Sequence, residues 1–430
     1  MQDRPLIARA VRWHLAQAIR FAALAIVIVG GLPQSATAAP LEIKRAVNIA
    51  QWFTWPRYEP APSDRISWPP YKDVPKPPSL SDLKRLKEVG FDTVRLPVDP
   101  APFMVFEGGR QRLVYERLFD ALAKINAAGM NAIVDLHPNS RHPVWGQHAV
   151  IKGPGTPTFD RYADLIEEMA RKLDRHRARV ALELINEPRI KCKGDDQARW
   201  NELAKGLVDR ARKGSTTLTL LMTGACVSSA EGLVALDPKA FDDDKIIYTF
   251  HFYDPFSFTH QGAQFIPWPD KYLDEVPWPA NARPMEKPLA KTMQRVAEAK
   301  IDPLEREKAL IGAQANLKKF YNTNADQGLI RARFAPVAEW ARKHNIEPIR
   351  IFIGEFGVLK KRQGLPGALC KDRMRWLTDI RTIADEFGFS WAYFNYDGPF
   401  ALLTDERTRD FDQSVLAALG MTQAKVACQD

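Results

Sequence analysis

The sequence predicts a single (β/α)8 barrel, an α/β fold, and three observations lead to this fold class. Short apolar runs alternate with amphipathic stretches from about residue 44 onwards. The apolar runs are nearly continuous, which is typical of parallel strands covered on both faces. They number eight, and eight strands with intervening helices are what a closed barrel requires. A doubly wound sheet is the alternative, but the first strand–helix junction lacks a glycine-rich phosphate turn.

The individual elements follow from these runs and from helix start and stop signals. Strands are expected at residues 46–53, 93–98, 131–136, 180–185, 217–222, 246–251, 350–354 and 390–394. Helices are expected at residues 81–90, 115–129, 158–176, 197–214, 330–344 and 372–388, several of which end in Gly or His.

Two insertions interrupt the alternation. Residues 54–80 are rich in Pro, Trp and Tyr, and residues 254–326 form a long excursion after the sixth strand. A connection this long within a compact domain is usually a functional cover or is partly disordered. Because residues 301–320 have a helical pattern, we expect a partly helical lid.

Composition limits the class of protein. With 430 residues, 45% hydrophobic and 26% charged, the chain is long and apolar enough to bury a large core. The formal charge of +9 is spread along the chain without a dense Lys/Arg tract. We therefore expect no nucleic-acid partner, and we expect a monomer.

The N-terminus has the order of an export signal. Arginines precede an apolar run at residues 21–32, and Ala36-Thr37-Ala38 follows as a cleavage site. The run is short for a membrane-spanning helix, so we expect a signal peptide at residues 1–39 and a single domain at 40–430. An uncleaved anchor is the alternative. Cleavage would leave no membrane contact and place the protein in the periplasm or outside the cell.

Four cysteines form an even set that suits an oxidising compartment. Three pairings are possible, and four unpaired thiols are a further alternative. Cys192 and Cys226 each follow the end of a predicted strand, so we favour Cys192–Cys226 together with Cys370–Cys428.

Polar residues close the apolar runs, where the loops of a barrel converge on its active face. These residues are Arg95, His137, Asn186, Glu187, His251, Tyr253 and Glu355, with Trp391 at the start of the last strand. The carboxylates Glu187 and Glu355 close strands four and seven. A facing pair of this kind suits acetal hydrolysis, with one carboxyl protonated as the acid and the other ionised. We expect Glu187 to be the acid/base and Glu355 the nucleophile, kept anionic by two hydrogen bonds from Arg95.

Ile185-Asn186-Glu187-Pro188 and Ile353-Gly354-Glu355-Phe356-Gly357, with the other residues of this set, resemble glycoside hydrolase family 5, the cellulase family. The resemblance spans about residues 45–420. It implies a retaining glycanase in which Glu187 is the acid/base and Glu355 the nucleophile. It further implies that Asn186 holds the sugar 2-hydroxyl, that His137 and His251 line the cleaved subsite and that Tyr253 hydrogen-bonds the nucleophile. Trp391 would be the sugar-stacking platform.

The substrate stays open at this stage. An endo-β-1,4-glucanase is the first hypothesis; β-mannan, β-1,3 or mixed-linkage glucan and a bacterial exopolysaccharide are alternatives with the same mechanism. A carbohydrate-binding barrel without turnover is the alternative of another class. Sugar stacking is also expected of two or three of six loop tryptophans, which are Trp52, Trp55, Trp68, Trp145, Trp268 and Trp278.

Other chemistries have no support in the sequence. The histidines lack the spacing of a zinc site, so no metal and no cofactor are expected. A Ser-His-Asp mechanism is not indicated, because no G-x-S-x-G motif is present. Asp135 and Glu183 lie deeper in their strands, and we interpret them as groups of the barrel interior.

Overall fold

The computed structural model describes residues 39–60, 63, 65–71, 76–139, 142–266, 269–362, 365–422 and 428. Residue contacts divide the chain into two units, Met1–Ala39 and Pro40–Asp430. The predicted signal peptide falls in the first unit, and its residues 1–38 lie outside the described part of the chain. The second unit contains the barrel.

Eight parallel strands close into a barrel in chain order, and the first strand pairs with the last. The strands are β1 (Arg45–Asn48), β2 (Thr93–Val98), β3 (Asn131–Leu136), β4 (Val180–Glu183), β5 (Thr219–Thr223), β6 (Ile246–His251), β7 (Ile351–Phe356) and β8 (Ser390–Tyr393). The predicted fold class is confirmed. β2, β3 and β6 have the predicted bounds, whereas β1 ends five residues early, because the chain after Asn48 turns away into the loop of the first insertion.

Helices follow the strands and cover the barrel. They are Leu80–Glu88, Ala101–Val105, Gly108–Ala127, Gln147–Val150, Pro157–Leu173, Gly194–Gly214, Ala230–Val234, Gln327–Lys343, Cys370–Phe387 and Gln413–Ala418. A short turn, Ala225–Ser228, follows β5, and a small hairpin of β9 (Leu403–Asp405) and β10 (Asp410–Phe411) follows β8.

Side chains alternate between two layers along each strand. One set fills the barrel interior as a small cluster that includes Ile133, Phe352 and Ala392. Their strand neighbours, such as Val134 and Ile353, belong to the large core between the strands and the helices. This alternation decides which residues at the strand ends point into the barrel mouth.

The insertion after β6 contains the helices Phe256–Thr259, Glu286–Glu298 and Pro303–Asn322. The predicted helical stretch is confirmed as Pro303–Asn322. The segment is attached to helix Cys370–Phe387: Trp278 Nε1 donates a hydrogen bond to Asp379 Oδ2 at 2.8 Å, and Arg283 pairs with Asp372. The insertion therefore packs against the outer helical layer.

Both favoured disulfides, Cys192–Cys226 and Cys370–Cys428, are present. Across the described residues, no helix has the length and apolar character needed to traverse a lipid bilayer.

Candidate active site

Seven of the eight predicted site residues meet at the carboxyl ends of the strands. They are Arg95, His137, Asn186, Glu187, His251, Tyr253 and Glu355. Direct hydrogen bonds link each of them to at least one other member of the set. Trp391 is the exception.

The two carboxylates face each other across the imidazole of His251. His251 Nδ1 lies 2.9 Å from Glu187 Oε1 and 3.7 Å from Glu355 Oε2. One oxygen of each carboxylate and one nitrogen of His251 all lie within 4.8 Å of one another. The side chain of Glu187 is 27% exposed and lines the cleft, whereas that of Glu355 is 6% exposed and lies deeper.

Glu355 reaches the barrel mouth because β7 is irregular beside it. The register of β7 against β8 shifts between Ile353 and Phe356, and His251 pairs with Glu355 after a shift in β6. Gly354 makes this possible, because a Cβ there would lie 2.7 Å from Thr249 Oγ1 and 3.1 Å from His251 Nε2. The absence of a side chain at Gly354 leaves room for the imidazole.

Arg95 lies buried beneath the carboxylates and connects them to the barrel interior. Its Nη1 donates to Glu355 Oε1 at 2.8 Å, while Nε and Nη2 donate to the two oxygens of Glu183 at 2.7 and 2.9 Å. The expected double hydrogen bond from Arg95 to Glu355 is therefore wrong: the paired contact goes to Glu183. The reason is geometric, since Glu183 points into the same interior layer as Arg95.

Arg95 and the carboxyl groups around it shift one another's pKa values. Burial disfavours its charge, but Asp135, Glu183 and Glu355 outweigh burial and hold the pKa of Arg95 above its ordinary value. Burial and the neighbouring Asp135 raise the pKa of Glu183 despite its bonds to Arg95. Three carboxyl groups, those of Asp135, Glu183 and Glu355, thus surround the single guanidinium of Arg95.

Tyr253 holds the second oxygen of Glu355. Its Oη donates to Glu355 Oε2 at 3.0 Å, and Thr259 Oγ1 donates to its main-chain carbonyl at 2.6 Å. Burial and the charge of Glu355 raise the pKa of Tyr253 well above its ordinary value, so the phenol stays a hydrogen-bond donor.

His137 and Asn186 form the opposite wall of the site. His137 Nδ1 lies 2.9 Å from Asp135 Oδ2, and its Nε2 lies 3.3 Å from Asn186 Nδ2. Asn186 Oδ1 accepts from Arg95 Nη2 at 2.9 Å. Burial disfavours the imidazolium of His137, but Asp135 outweighs burial and raises its pKa.

A hydrogen bond between Glu187 and His251 shifts the pKa values of both groups. Burial favours a neutral Glu187, but the hydrogen bond and charge of His251 outweigh it and hold the pKa of Glu187 below its ordinary value. Burial opposes the imidazolium of His251, but Glu355 and Glu187 outweigh it and raise its pKa. The expectation that Glu187 is the neutral carboxyl stays a prediction, and its contact with His251 was not predicted from the sequence.

Trp391 is not a platform in the cleft. Its side chain is 1% exposed and packs against Phe91 and Phe356 in the core beneath the helices. Trp391 lies one position out of phase with the inward-facing Ala392. Phe394, two residues beyond Ala392, has the inward phase and lines the cleft. The strand alternation, applied to β8, would have selected Phe394.

The loop tryptophans divide into core and surface residues. Trp55 is 63% exposed and lines the cleft, whereas Trp52, Trp145 and Trp278 are buried. Trp68 is 39% exposed and packs edge-on against Phe106, and Trp268 lies outside the described residues. Only Trp55, among the described members of this set, has the exposure and the location of a sugar-stacking side chain.

Sequence reasoning missed several residues that support the site. Asn48 Oδ1 accepts from Arg95 Nη1 at 2.9 Å, and Gln147 contacts the main chain of Asn186 and Glu187. Asp99 and Arg189 line the cleft. Burial raises the pKa of Asp99 to about 7. The location of Asp99 just past the end of β2 was a detectable signal. Gln147 begins the short helix Gln147–Val150, whose location the sequence does not predict.

Glu187, His251 and Glu355 are also the residues that could hold a metal ion within the described part of the chain. Their ligand atoms are engaged with one another and with Arg95 and Tyr253.

Comparisons with known proteins agree with this geometry. The family model described as cellulase (glycosyl hydrolase family 5) matches residues 59–398. Endoglucanase 3 of Fibrobacter succinogenes is 26% identical over 345 residues, covering 75% of this chain and 46% of that protein. Endoglucanase C of Acetivibrio thermocellus is 26% identical over 322 residues, covering 73% of this chain and 82% of that protein. This chain thus spans under half of the first relative and most of the second.

A solved structure shares the fold. The structure of Cel5A from Thermotoga maritima in complex with cellobiose has a TM-score of 0.60 and 19% sequence identity, covering 88% of this chain and 97% of that chain. At this identity the likeness concerns the architecture alone.

Proposed function

Because the chain belongs to the cellulase family, glycosyl hydrolase family 5, and is a glycoside hydrolase, we propose that it is a retaining endo-β-1,4-glucanase. The observation that carries the mechanism is the approach of Glu187 and Glu355, whose ligand oxygens lie within 4.8 Å of each other. Retaining enzymes have carboxyl groups about 5–5.5 Å apart, whereas inverting enzymes need about 6.5–9.5 Å to admit a water between them. The short separation supports direct attack by one carboxylate.

Glu355 is the proposed nucleophile. Arg95 Nη1 and Tyr253 Oη each donate to one of its oxygens, which fixes the plane of the carboxylate. In the first step an oxygen of Glu355 bonds to the anomeric carbon as the glycosidic C–O bond breaks. In the second step water attacks that carbon and Glu355 leaves as the carboxylate.

Glu187 is the proposed acid/base, and His251 supplies its proton. The proton passes from His251 Nδ1 through Glu187 Oε1 to the departing glycosidic oxygen. Glu355 is the strongest contributor to the raised pKa of His251, and its negative charge disappears as the covalent bond forms. The imidazolium is therefore most acidic at the moment when the leaving oxygen needs a proton. Glu187 then accepts a proton from the attacking water.

The sugar beside these groups is proposed to stack on Phe394 and, further along the cleft, on Trp55. Both side chains line the same cleft as His137 and Asn186. Pyranose rings present C–H faces that pack on aromatic rings. Asn186, held by Arg95 through its Oδ1, keeps its amide Nδ2 on the His137 side of the site, where it is proposed to bind the 2-hydroxyl.

A β-1,4-glucan is the proposed substrate because both relatives described above are named endoglucanases and cover most of this chain's barrel. A panel of carboxymethyl cellulose, β-mannan, β-1,3-glucan and mixed-linkage glucan tests the choice. Release of new reducing ends from β-mannan or β-1,3-glucan alone would replace the glucanase assignment.

We also propose that the protein is exported as a monomer to the periplasm or the medium. The two disulfides suit an oxidising compartment, and the charged, apolar and small-residue order of residues 1–39 suits a cleaved signal. N-terminal sequencing of the mature protein tests cleavage after Ala38, and sedimentation analysis tests the monomer.

The experiment for the reaction class follows the anomeric proton by NMR during hydrolysis of cellotetraose. Retention gives the β-anomer first, and the α-anomer appears only by mutarotation. An initial α-anomer would contradict the double displacement, and absence of hydrolysis would favour a binding barrel without turnover.

A further inference from the structure

The main chain of Glu187 has an unusual conformation that needs support. Its φ is 45°, in the left-handed region that residues with a side chain seldom adopt. Pro188 follows directly, and a proline further restricts the backbone of the residue before it. Such a conformation is strained and persists only where the surroundings impose it.

Two buried side chains from other connections of the barrel contact this peptide segment, one at its amide and one at its carbonyls. The amide of Glu187 donates to Ser228 Oγ at 3.2 Å. Gln147 Nε2 donates to the carbonyl of Asn186 at 2.6 Å and also to the carbonyl of Glu187. Ser228 is 0% exposed and Gln147 is 2% exposed, so water does not compete for these contacts.

Ser228 itself is held in a strained turn. Cys226, Val227 and Ser228 have φ values of 54°, 58° and 57°, three successive left-handed residues that are not glycine. Each is unfavourable relative to a right-handed conformation, because Cβ approaches the following carbonyl oxygen. A segment of this kind relaxes unless other bonds fix it.

The bonds that fix the turn come from the chain just after Glu187. Cys226 N donates to Ile190 O at 2.7 Å, and Val227 N donates to Pro188 O at 3.1 Å. The disulfide Cys192–Cys226 joins the same two segments covalently. The loop that carries Glu187 and the turn that carries Ser228 therefore form one crosslinked unit.

From this arrangement we propose that Ser228 and Gln147 are positioning residues for Glu187, and that the Cys192–Cys226 disulfide keeps Ser228 in place. The inference rests on the proposed role of Glu187 as acid/base. The φ of Glu187 sets the direction of its Cα–Cβ bond, and so sets the location of its carboxyl group relative to His251. A misplacement of about 1 Å can reduce a rate on the order of 100-fold.

The test compares a substrate that needs a proton on its leaving group with one that does not. Cellotetraose releases a poor leaving group, whereas 2,4-dinitrophenyl β-cellobioside releases a phenolate that needs no proton. The value of kcat/KM reports the first chemical step for both. Ser228→Ala, Gln147→Met and the double variant Cys192→Ala/Cys226→Ala should each lose about tenfold or more on cellotetraose, out of the roughly 100- to 10,000-fold that general acid catalysis supplies. Each should lose less than about twofold on the dinitrophenyl substrate, because the nucleophile is untouched.

Matched controls come from the same chain. Ser229→Ala removes the neighbouring hydroxyl, which caps the next helix by accepting from Gly232 N at 3.1 Å. Cys370→Ala/Cys428→Ala removes the other disulfide, which joins the start of helix Cys370–Phe387 to Cys428. Neither control should change the ratio of the two kcat/KM values.

Two results would overturn the inference: equal losses on both substrates in Ser228→Ala and Gln147→Met, or no loss on either. If the double cysteine variant fails to fold, these two single variants still decide. Failure of the proposed function is separate, because it would appear as an inactive wild type or as a Glu187→Ala variant without leaving-group dependence.

Discussion

His251 Nδ1 lies 2.9 Å from Glu187 Oε1, so the proposed acid/base shares its proton with a buried imidazole. Because the two groups interact strongly, they titrate as a pair whose pKa values belong to both. The raised pKa of His251 and the lowered pKa of Glu187 are two aspects of one contact. This contact determines the pH range in which the site can protonate a leaving group.

The variant His251→Gln should move the alkaline limb of the kcat/KM profile to lower pH. In the wild type the proton of the pair is held below the raised pKa of His251 and is lost as the pH rises through it. In the variant Glu187 must hold the proton alone. Burial raises the pKa of a carboxyl group, but its ordinary value is lower than that of an imidazole. The pH dependence of cellotetraose hydrolysis measures the shift. His344→Gln, at a helix end, is the control that should leave the profile unchanged, and an unmoved limb in His251→Gln would contradict the shared proton.

Replacing Arg95 by Met should destabilise the protein by about 3–5 kcal/mol, because breaking a buried ion pair leaves uncompensated carboxylates. Arg95 contacts Glu183, Asp135 and Glu355 and is 0% exposed. Urea unfolding measures the free energy. Arg171→Met is the control: its pair with Glu167 is 57% exposed on the arginine side, and exposed pairs contribute at most about 1 kcal/mol. A loss in Arg95→Met as small as that in Arg171→Met would show that the interior ion pairs do not stabilise the protein.

The variants Phe394→Ala and Trp391→Ala should affect different properties: catalysis in the first and stability in the second. Phe394 lines the cleft, so its loss should lower kcat/KM on cellotetraose by about tenfold, since stacking contacts contribute roughly 0.5–1.5 kcal/mol beyond area burial. Trp391 lies in the core, so its loss should lower the free energy of unfolding by about 3–5 kcal/mol. Kinetics and urea unfolding on both variants separate the roles. A stable Trp391→Ala protein with a raised KM would restore the platform assignment.

The variant Trp55→Ala should raise KM for cellotetraose and longer oligosaccharides while leaving stability within about 0.5 kcal/mol, because surface substitutions away from special features have small effects. The ring is 63% exposed and lines the cleft beside Thr54 and Ala50. Steady-state kinetics on a series of cello-oligosaccharides measures the effect. The buried Trp52→Ala variant is the comparison, which should lose stability instead. A length-independent response in Trp55→Ala would remove it from the cleft's binding surface.

The sequence predicted the barrel because eight apolar runs with helical stretches between them leave few arrangements. It also predicted which strands end in functional groups, since parallel strands place their carboxyl ends on one face. Three details lay beyond it, and each depends on geometry across strands. Arg95 bonds Glu183 twice because both point inward, and Trp391 points outward. His251 lies beside Glu355 because the register shifts in β6 and β7.

The residues that contact the main chain of Glu187 from other connections also could not be predicted from the sequence. Gln147 and Ser228 lie far from Glu187 along the chain, at separations of 40 and 41 residues. Their contacts depend on the path of loops after β3 and β5, which have no periodic pattern. The predicted pair Cys192–Cys226 did indicate that the chain after β4 meets the turn after β5, but it carries no information on Gln147.

Trapping of the covalent intermediate is the most direct test of the proposed mechanism. Incubation with 2,4-dinitrophenyl 2-deoxy-2-fluoro-β-cellobioside, whose fluorine slows breakdown of the glycosyl–enzyme, is followed by peptide mass spectrometry. We predict one added 2-fluorocellobiosyl group per chain, attached to Glu355 and absent in Glu355→Gln. A label on Glu187 or another residue, or an active enzyme that takes up no label, would contradict Glu355 as the nucleophile.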